Sequence, residues 1–155
     1  MPRADEDLGN ARRMAMGITV LVLALLTADQ DAPDKALQGT WVVTTAQREG
    51  KDAADVVGHR LKIDGDRFEI REGDKLLFRG TLAIDKSAGK LWQVDIKHSH
   101  GDLAGKKWLG VMRVRDDGVL VICDNAVDPE KPRPEALESK PGSGTILLEF
   151  RRPEK

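Results

Sequence analysis

The feature that most constrains the fold is an alternation of apolar and polar residues with a period of two, which recurs from Asp29 onward. In one run, Trp92, Val94 and Ile96 alternate with charged or amide side chains. Successive side chains of a strand point to opposite faces, so such a run gives a sheet one buried and one solvated face. Turn sequences such as Asp64-Gly65-Asp66 separate the runs. The pattern therefore predicts an all-β, antiparallel protein.

Counting these runs predicts eight strands, most of them joined by two to five residues. Neighbours joined so closely should pair in sequence order, and an eight-stranded up-and-down sheet removes its exposed edges by closing into a barrel. Such a barrel encloses room for side chains or for one small ligand. The predicted strands are 40–48, 58–64, 66–72, 75–85, 90–98, 107–115, 118–124 and 144–152.

The first and last predicted strands carry complementary residues. Gly39-Thr40-Trp41 opens the first strand, and Arg152 lies in the last, in the same phase as the apolar Phe150. A glycine and a tryptophan at this spacing, with an arginine on the last strand, are typical of small eight-stranded antiparallel barrels. A guanidinium over an indole face contributes about 0.5–2 kcal/mol. We expect Gly39, Trp41 and Arg152 to close the base of the barrel rather than to bind a ligand.

Four large side chains share the inward phase of the middle strands: Phe78, Trp92, Trp108 and Met112. Gly110 lies between the last two and would leave space beside them. Ligand pockets are mostly apolar with a few placed polar groups. The four side chains are therefore candidates for the wall of a pocket that binds a small apolar or amphipathic ligand. The alternative is that they simply fill the core.

Two connections are longer than the others, 49–57 and 125–143. The first contains a short stretch compatible with one helical turn. The second carries four of the seven prolines, and a loop of this length in a compact domain is usually functional or mobile. It is a candidate to shape the mouth of the barrel or, in an alternative interpretation, to bind a protein partner in an interaction or envelope structural module.

Few polar residues are candidates for metal binding or catalysis. His98, His100 and Asp102 form a cluster with metal-ligand character, but zinc needs three or four oriented ligands, and a polar loop tip explains the cluster as well. Cys123 is expected to be a buried, inert thiol. No catalytic arrangement stands out, so we expect a protein that is not an enzyme and that uses no metal or cofactor. A metal-dependent activity at His98 and His100 is the enzymatic alternative.

Composition narrows the choice of partners. The formal net charge is −1, which gives no electrostatic reason to expect a nucleic acid. Aromatic residues make up 4% of the chain and tyrosine is absent, so a stacking platform for single-stranded nucleic acid is not expected. The single cysteine excludes an intramolecular disulfide.

The N-terminus has the pattern of an export signal. Arg12-Arg13 precedes an uncharged apolar run, Met14 to Leu26, which is shorter than the roughly 20 residues of a spanning helix. We expect export with cleavage after Ala28, or retention of an uncleaved anchor that would be the only membrane contact. A buried helix of the domain is a further alternative. The predicted organisation is a leader, 1–28, followed by a barrel domain, 29–155.

Several segments together resemble one protein family. They are Leu37-Gln38-Gly39-Thr40-Trp41, Gly50-Lys51, Gly110-Val111, Asp117-Gly118-Val119-Leu120-Val121-Ile122-Cys123, Lys131-Pro132-Arg133-Pro134, Ser139-Lys140-Pro141-Gly142-Ser143-Gly144 and Arg152. With these segments, the chain from Leu37 to Arg152 resembles the planctomycete paralogous domain family of small, exported, lipocalin-like proteins. The resemblance implies a lipocalin-like barrel and export. It supplies no reaction, because the family has no assigned activity.

The chain departs from that family at three positions. Met112 stands where the family usually has a tyrosine, Asp124 where it usually has a phenylalanine, and Leu137 where it often has an aromatic residue. If those aromatic residues form a shared pocket or lid in the family, the pocket of this chain has a different character.

Overall fold

A computed structural model describes residues 34–154, which form an all-β domain with two single-turn 3-10 helices, Ala54–Val56 and Gly101–Leu103. The predicted leader, 1–28, lies outside the described residues. The predicted strand bounds agree with the observed ones to within two residues, apart from one additional short strand, β2. The strands are β1 (Gly39–Arg48), β2 (Lys51–Asp52), β3 (Arg60–Asp64), β4 (Arg67–Glu72), β5 (Lys75–Asp85), β6 (Trp92–His98), β7 (Lys107–Val114), β8 (Leu120–Asp124) and β9 (Ile146–Arg151).

The strands close into an antiparallel barrel. Strands β3 to β8 each pair with the next strand in the chain, and β1 pairs with both β3 and β9. The closing register runs from Val42 opposite Arg151 to Arg48 opposite Ile146. Strand β2 forms only a two-residue extension against the end of β1. Eight strands therefore form the barrel, and the predicted up-and-down topology is confirmed.

The core lies inside the barrel, because the apolar face of each alternating strand points inward. Gly80 is required where β5 and β6 approach each other, since a Cβ at this position would overlap the carbonyl oxygen of Lys97. Gly110 has a similar role in β7, because its Cβ would lie 2.7 Å from the carbonyl oxygen of Cys123. This glycine allows two strands to pack closely, and the prediction that it leaves space beside Trp108 is wrong.

The base of the barrel is closed by the residues at the two ends of the domain. Trp41 is 2% exposed, and its indole Nε1 donates to the carbonyl of Leu37 at 3.0 Å. The guanidinium carbon of Arg152 lies 3.8 Å from the centroid of the indole, and Nη2 donates to the carbonyl of Ala36 at 2.9 Å. Gly39 has a φ of +99°, and a Cβ there would lie 3.1 Å from Arg152 Nη1. These contacts fix the arginine over the tryptophan.

The 125–143 segment packs along the outer wall of the barrel. Arg133 crosses β7 to donate to the carbonyls of Gly110 (2.8 Å) and Val94 (2.9 Å), and it also pairs with Asp95. Asn125 is fully buried and accepts from the backbone of β7 while donating to the carbonyl of Lys131 at 2.7 Å. The segment therefore covers the outer face of β8, which explains why every residue of that strand is buried. Most of this segment does not shape the mouth, contrary to the prediction.

Candidate functional site

A cavity of about 340 Å³ lies in the barrel half that is remote from Trp41 and Arg152. Arg48, Val56 and Val127 lie at its outer rim, and the buried Phe68 and Phe150 line its inner part. Its wall is built from the inward faces of all eight barrel strands and is mainly aliphatic. The aliphatic wall includes Val43, Leu61, Ile70, Leu82, Ile96, Ile122, Ile146 and Leu148.

The four predicted wall residues divide between the two halves of the barrel. Phe78 and Trp108 line the cavity, with ring centroids 5.4 Å apart in an edge-to-face arrangement. Trp92 and Met112 face each other across β6 and β7 and do not line the cavity. Met112 is fully buried in the core, and Trp92 packs against that core with Lys86 Nζ 4.1 Å from its ring centroid. Phe78 and Trp108 therefore line the cavity, whereas Trp92 and Met112 belong to the core.

The beginning of the 125–143 segment contributes to the rim, although most of the segment lies elsewhere. Ala126 and Val127 line the cavity directly after β8 ends. Val127 is 39% exposed, which places an apolar side chain at the entrance. Only this short part of the segment meets the prediction of a mouth-shaping loop.

Asp124 is a buried carboxyl group on the cavity wall. It is the last residue of β8 and is 4% exposed. Its Oδ1 accepts a hydrogen bond from the backbone N–H of Ala126 at 2.9 Å. Loss of hydration on burial raises the pKa of the Asp124 carboxyl to about 7, and the single backbone hydrogen bond offsets this only in part. The group therefore titrates near neutral pH.

Two other polar residues line the cavity near its entrance. Arg48 is engaged by Asp55 in a two-point ion pair, with both N···O distances 3.1 Å. His59 has a largely buried side chain, and its Nε2 lies 3.9 Å from a carboxylate oxygen of Glu72, outside hydrogen-bond range. Arg48 thus has an ion-pair partner, whereas Asp124 is buried and has no charged neighbour at hydrogen-bond distance among the described residues.

His98 lies inside the barrel, so the interpretation of its cluster as a polar loop tip is wrong for this residue. It ends the inward-facing series of β6, is 2% exposed, and neither ring nitrogen has a hydrogen-bond partner among the described residues. The rings of Phe68, Phe78 and Trp108 surround it, with centroid distances of 5.8, 5.9 and 4.1 Å. Burial lowers the pKa of His98 and favours the neutral imidazole. The period of two that placed Trp92 inward places His98 inward as well, so the signal was present in the sequence.

The structure does not bring the three candidate metal ligands, His98, His100 and Asp102, to one side of the barrel wall. His98 is enclosed, whereas His100 and Asp102 are exposed in the following loop. Within residues 34–154 no group of three or more His, Cys, Asp or Glu side chains is arranged to hold a metal ion.

Cys123 lies on the outer face of β8 beneath the 125–143 segment. Its Sγ lies 3.3 Å from the carbonyl oxygen of Glu138, and the residue is fully buried. Burial raises the pKa of the thiol to about 11, so it is protonated at neutral pH. This environment is that of the inert thiol that the sequence predicts.

Comparison of the chain with protein-family models, with curated proteins and with solved structures finds no match. The resemblance to the planctomycete family therefore stays a prediction. In the part of the chain that the structure describes, no helix has the length and apolar character needed to cross a membrane.

Proposed function

We propose that this protein is a non-enzymatic binding module, which holds one small apolar or amphipathic molecule in the open half of its barrel. The supporting observation is the cavity of about 340 Å³, because protein interiors contain few voids larger than a water molecule. Cavities that bind small ligands have volumes of about 300–1,000 Å³ and are mostly apolar with a few polar groups. The size and lining of this cavity fit that class.

The two halves of the barrel have different tasks in this proposal. The half that contains Trp92 and Met112 is a packed core, sealed at its base by Arg152 over Trp41. This filled half holds the strands in register while the other half stays hollow. Phe78 and Trp108 supply flat apolar surface, and such aromatic surfaces dominate the energetics of many binding sites.

The proposed setting is outside the cytoplasm, as the leader pattern of residues 1–28 predicts. A partner protein bound through the 125–143 segment is the alternative function. The inner side chains of that segment pack against the barrel wall, where Arg133 and Asn125 make partly buried hydrogen bonds. The cavity therefore supports ligand binding more directly than the segment supports a protein partner.

A pair of matched tryptophan variants tests the proposal with N-phenylnaphthylamine, a neutral dye that fluoresces in apolar surroundings. We expect saturable one-to-one binding to the wild-type protein. Trp108→Ala should weaken dye affinity at least about tenfold, because it removes a cavity wall worth more than about 1.4 kcal/mol to the complex. Trp92→Ala removes the same side chain from the filled half and should change affinity less than about threefold.

Thermal unfolding of both variants provides the control for folding. Equal loss of dye binding in two folded variants would show that binding does not depend on the cavity. Absence of saturable binding to the wild-type protein would contradict the proposed function.

A further inference from the structure

The cavity lining carries a cation with an ion-pair partner, Arg48, and a carboxyl group without one, Asp124. Arg48 is neutralised by Asp55, and His59 faces Glu72 across 3.9 Å. Asp124 is the only carboxylate among the described cavity-lining residues, and no described basic side chain lies within ion-pairing distance of it.

From this arrangement we infer that the cavity selects amphiphiles that carry a basic nitrogen, bound by Asp124 as an ion pair. The inference rests on the proposed function and adds the chemical class of the ligand. A buried ionised carboxylate is costly unless it is paired, and a ligand ammonium would supply both the missing charge and charge-assisted hydrogen bonds.

The neighbours of Asp124 favour the same class of head group. Its cross-strand partner in β7 is Gly110, and Trp108 lies two residues earlier on the same inward face. The diagonal neighbour of a strand residue is within reach of an aromatic side chain. A cation beside Asp124 would therefore also lie near the indole of Trp108, whose π face attracts positive charge.

Competing head groups fit this interior less well. An anionic amphiphile such as a fatty acid would place a second carboxylate near Asp124, which disfavours ionisation of both groups. The nearest compensating cation on the cavity lining, Arg48, is already held by Asp55. A neutral alcohol could form a hydrogen bond to Asp124 but would leave its charge uncompensated.

Binding of an amine should also be linked to proton release. Burial raises the pKa of Asp124 in the ligand-free protein to about 7, so part of the protein population holds the proton at neutral pH. An ammonium ion would favour the carboxylate and expel this proton. The other titratable groups near the site are Arg48 and His59 on the cavity lining and the Cys123 thiol on the outer face. The strand neighbours Gly110 and Ile146 do not titrate.

Calorimetry with three probes of one chain length, octylamine, octanol and octanoate, tests the inference. At pH 7 we expect octylamine to bind the wild-type protein at least about tenfold more tightly than octanol or octanoate. Asp124→Asn keeps the shape of the side chain and the acceptor for Ala126. It should reduce octylamine affinity to within about threefold of octanol affinity and leave octanol binding unchanged.

The same titrations in buffers of different ionisation enthalpy measure proton release and need no variant. We expect release of a fraction of a proton with octylamine and none with octanol, and the release should vanish in Asp124→Asn. Equal affinities for octylamine and octanol, or no proton release with octylamine, would overturn the inference. In that case the binding of octanol would still support the proposed function of the cavity. Failure of all three probes to bind would overturn the proposed function and this inference with it.

Discussion

Replacement of Asp124 by asparagine should change how stability depends on pH. The pKa of the carboxyl is raised from 3.8 to about 7 in the folded protein. Between these two values the folded protein holds a proton that the unfolded chain releases, so the free energy of unfolding falls as the pH rises through this window. Each unit of pKa corresponds to about 1.4 kcal/mol, which makes the full effect about 4 kcal/mol. The neutral amide of Asp124→Asn removes this dependence.

The measurement is denaturant unfolding of wild-type protein and Asp124→Asn at several pH values from 4 to 8. We expect the stability of the variant relative to wild type to increase by up to about 4 kcal/mol from pH 4 to pH 8, with most of the change between pH 5 and 7. All other titrating groups, including His98, are common to both proteins and cancel in the difference. A difference that stays constant across this range would refute the account of Asp124 as a buried carboxyl without a counter-ion.

Further predictions concern the base, the buried imidazole and the outer segment. Arg152→Ala should lower the free energy of unfolding by about 1–3 kcal/mol, because it removes the contact with the indole and the hydrogen bonds. Arg151→Ala, at an exposed neighbouring position, should lower it by less than about 0.5 kcal/mol. Equal effects of the two variants in denaturant unfolding would contradict the proposed closure of the base. Burial lowers the pKa of His98, so stability should fall as the pH drops below about 6.5, and His98→Phe should stabilise the protein more at pH 5 than at pH 8. A gain that does not depend on pH would show that His98 does not titrate as described. Arg133→Ala should expose the 125–143 segment to limited proteolysis while the barrel stays folded, and unchanged cleavage would show that this arginine does not hold the segment.

The barrel could be predicted from the sequence because the patterns that indicate it, the alternation within each strand and the short turns between strands, are local. The period of two in β5 and β6 fixes which side chains point inward, and short glycine turns join the strands. The contact between Trp41 and Arg152 was also predictable, since the two residues lie at the ends of strands that must meet if an eight-stranded sheet closes.

The division of the barrel into a filled and a hollow half could not be predicted in this way. Trp92 and Trp108 have the same inward phase and lie toward opposite ends of the barrel, but the pattern does not show which end is filled and which is hollow. The outer packing of the 125–143 segment depends on hydrogen bonds from Arg133 to strands that are distant in the sequence.

The burial of Asp124 and of His98 could not be predicted for a different reason. Both lie in the inward phase of their strands, but polar residues at strand ends are more often solvated than buried. The sequence pattern therefore indicated their direction but not their burial, which depends on how the barrel packs around them.

The central claim is that the open half of the barrel carries a small ligand. Native and denaturing mass spectrometry of the protein, isolated from its own host without detergent, tests this claim most directly. The account predicts one additional organic molecule per chain in the native spectrum that is lost on denaturation, and that molecule should contain a basic nitrogen. Identical masses under both conditions would contradict the claim.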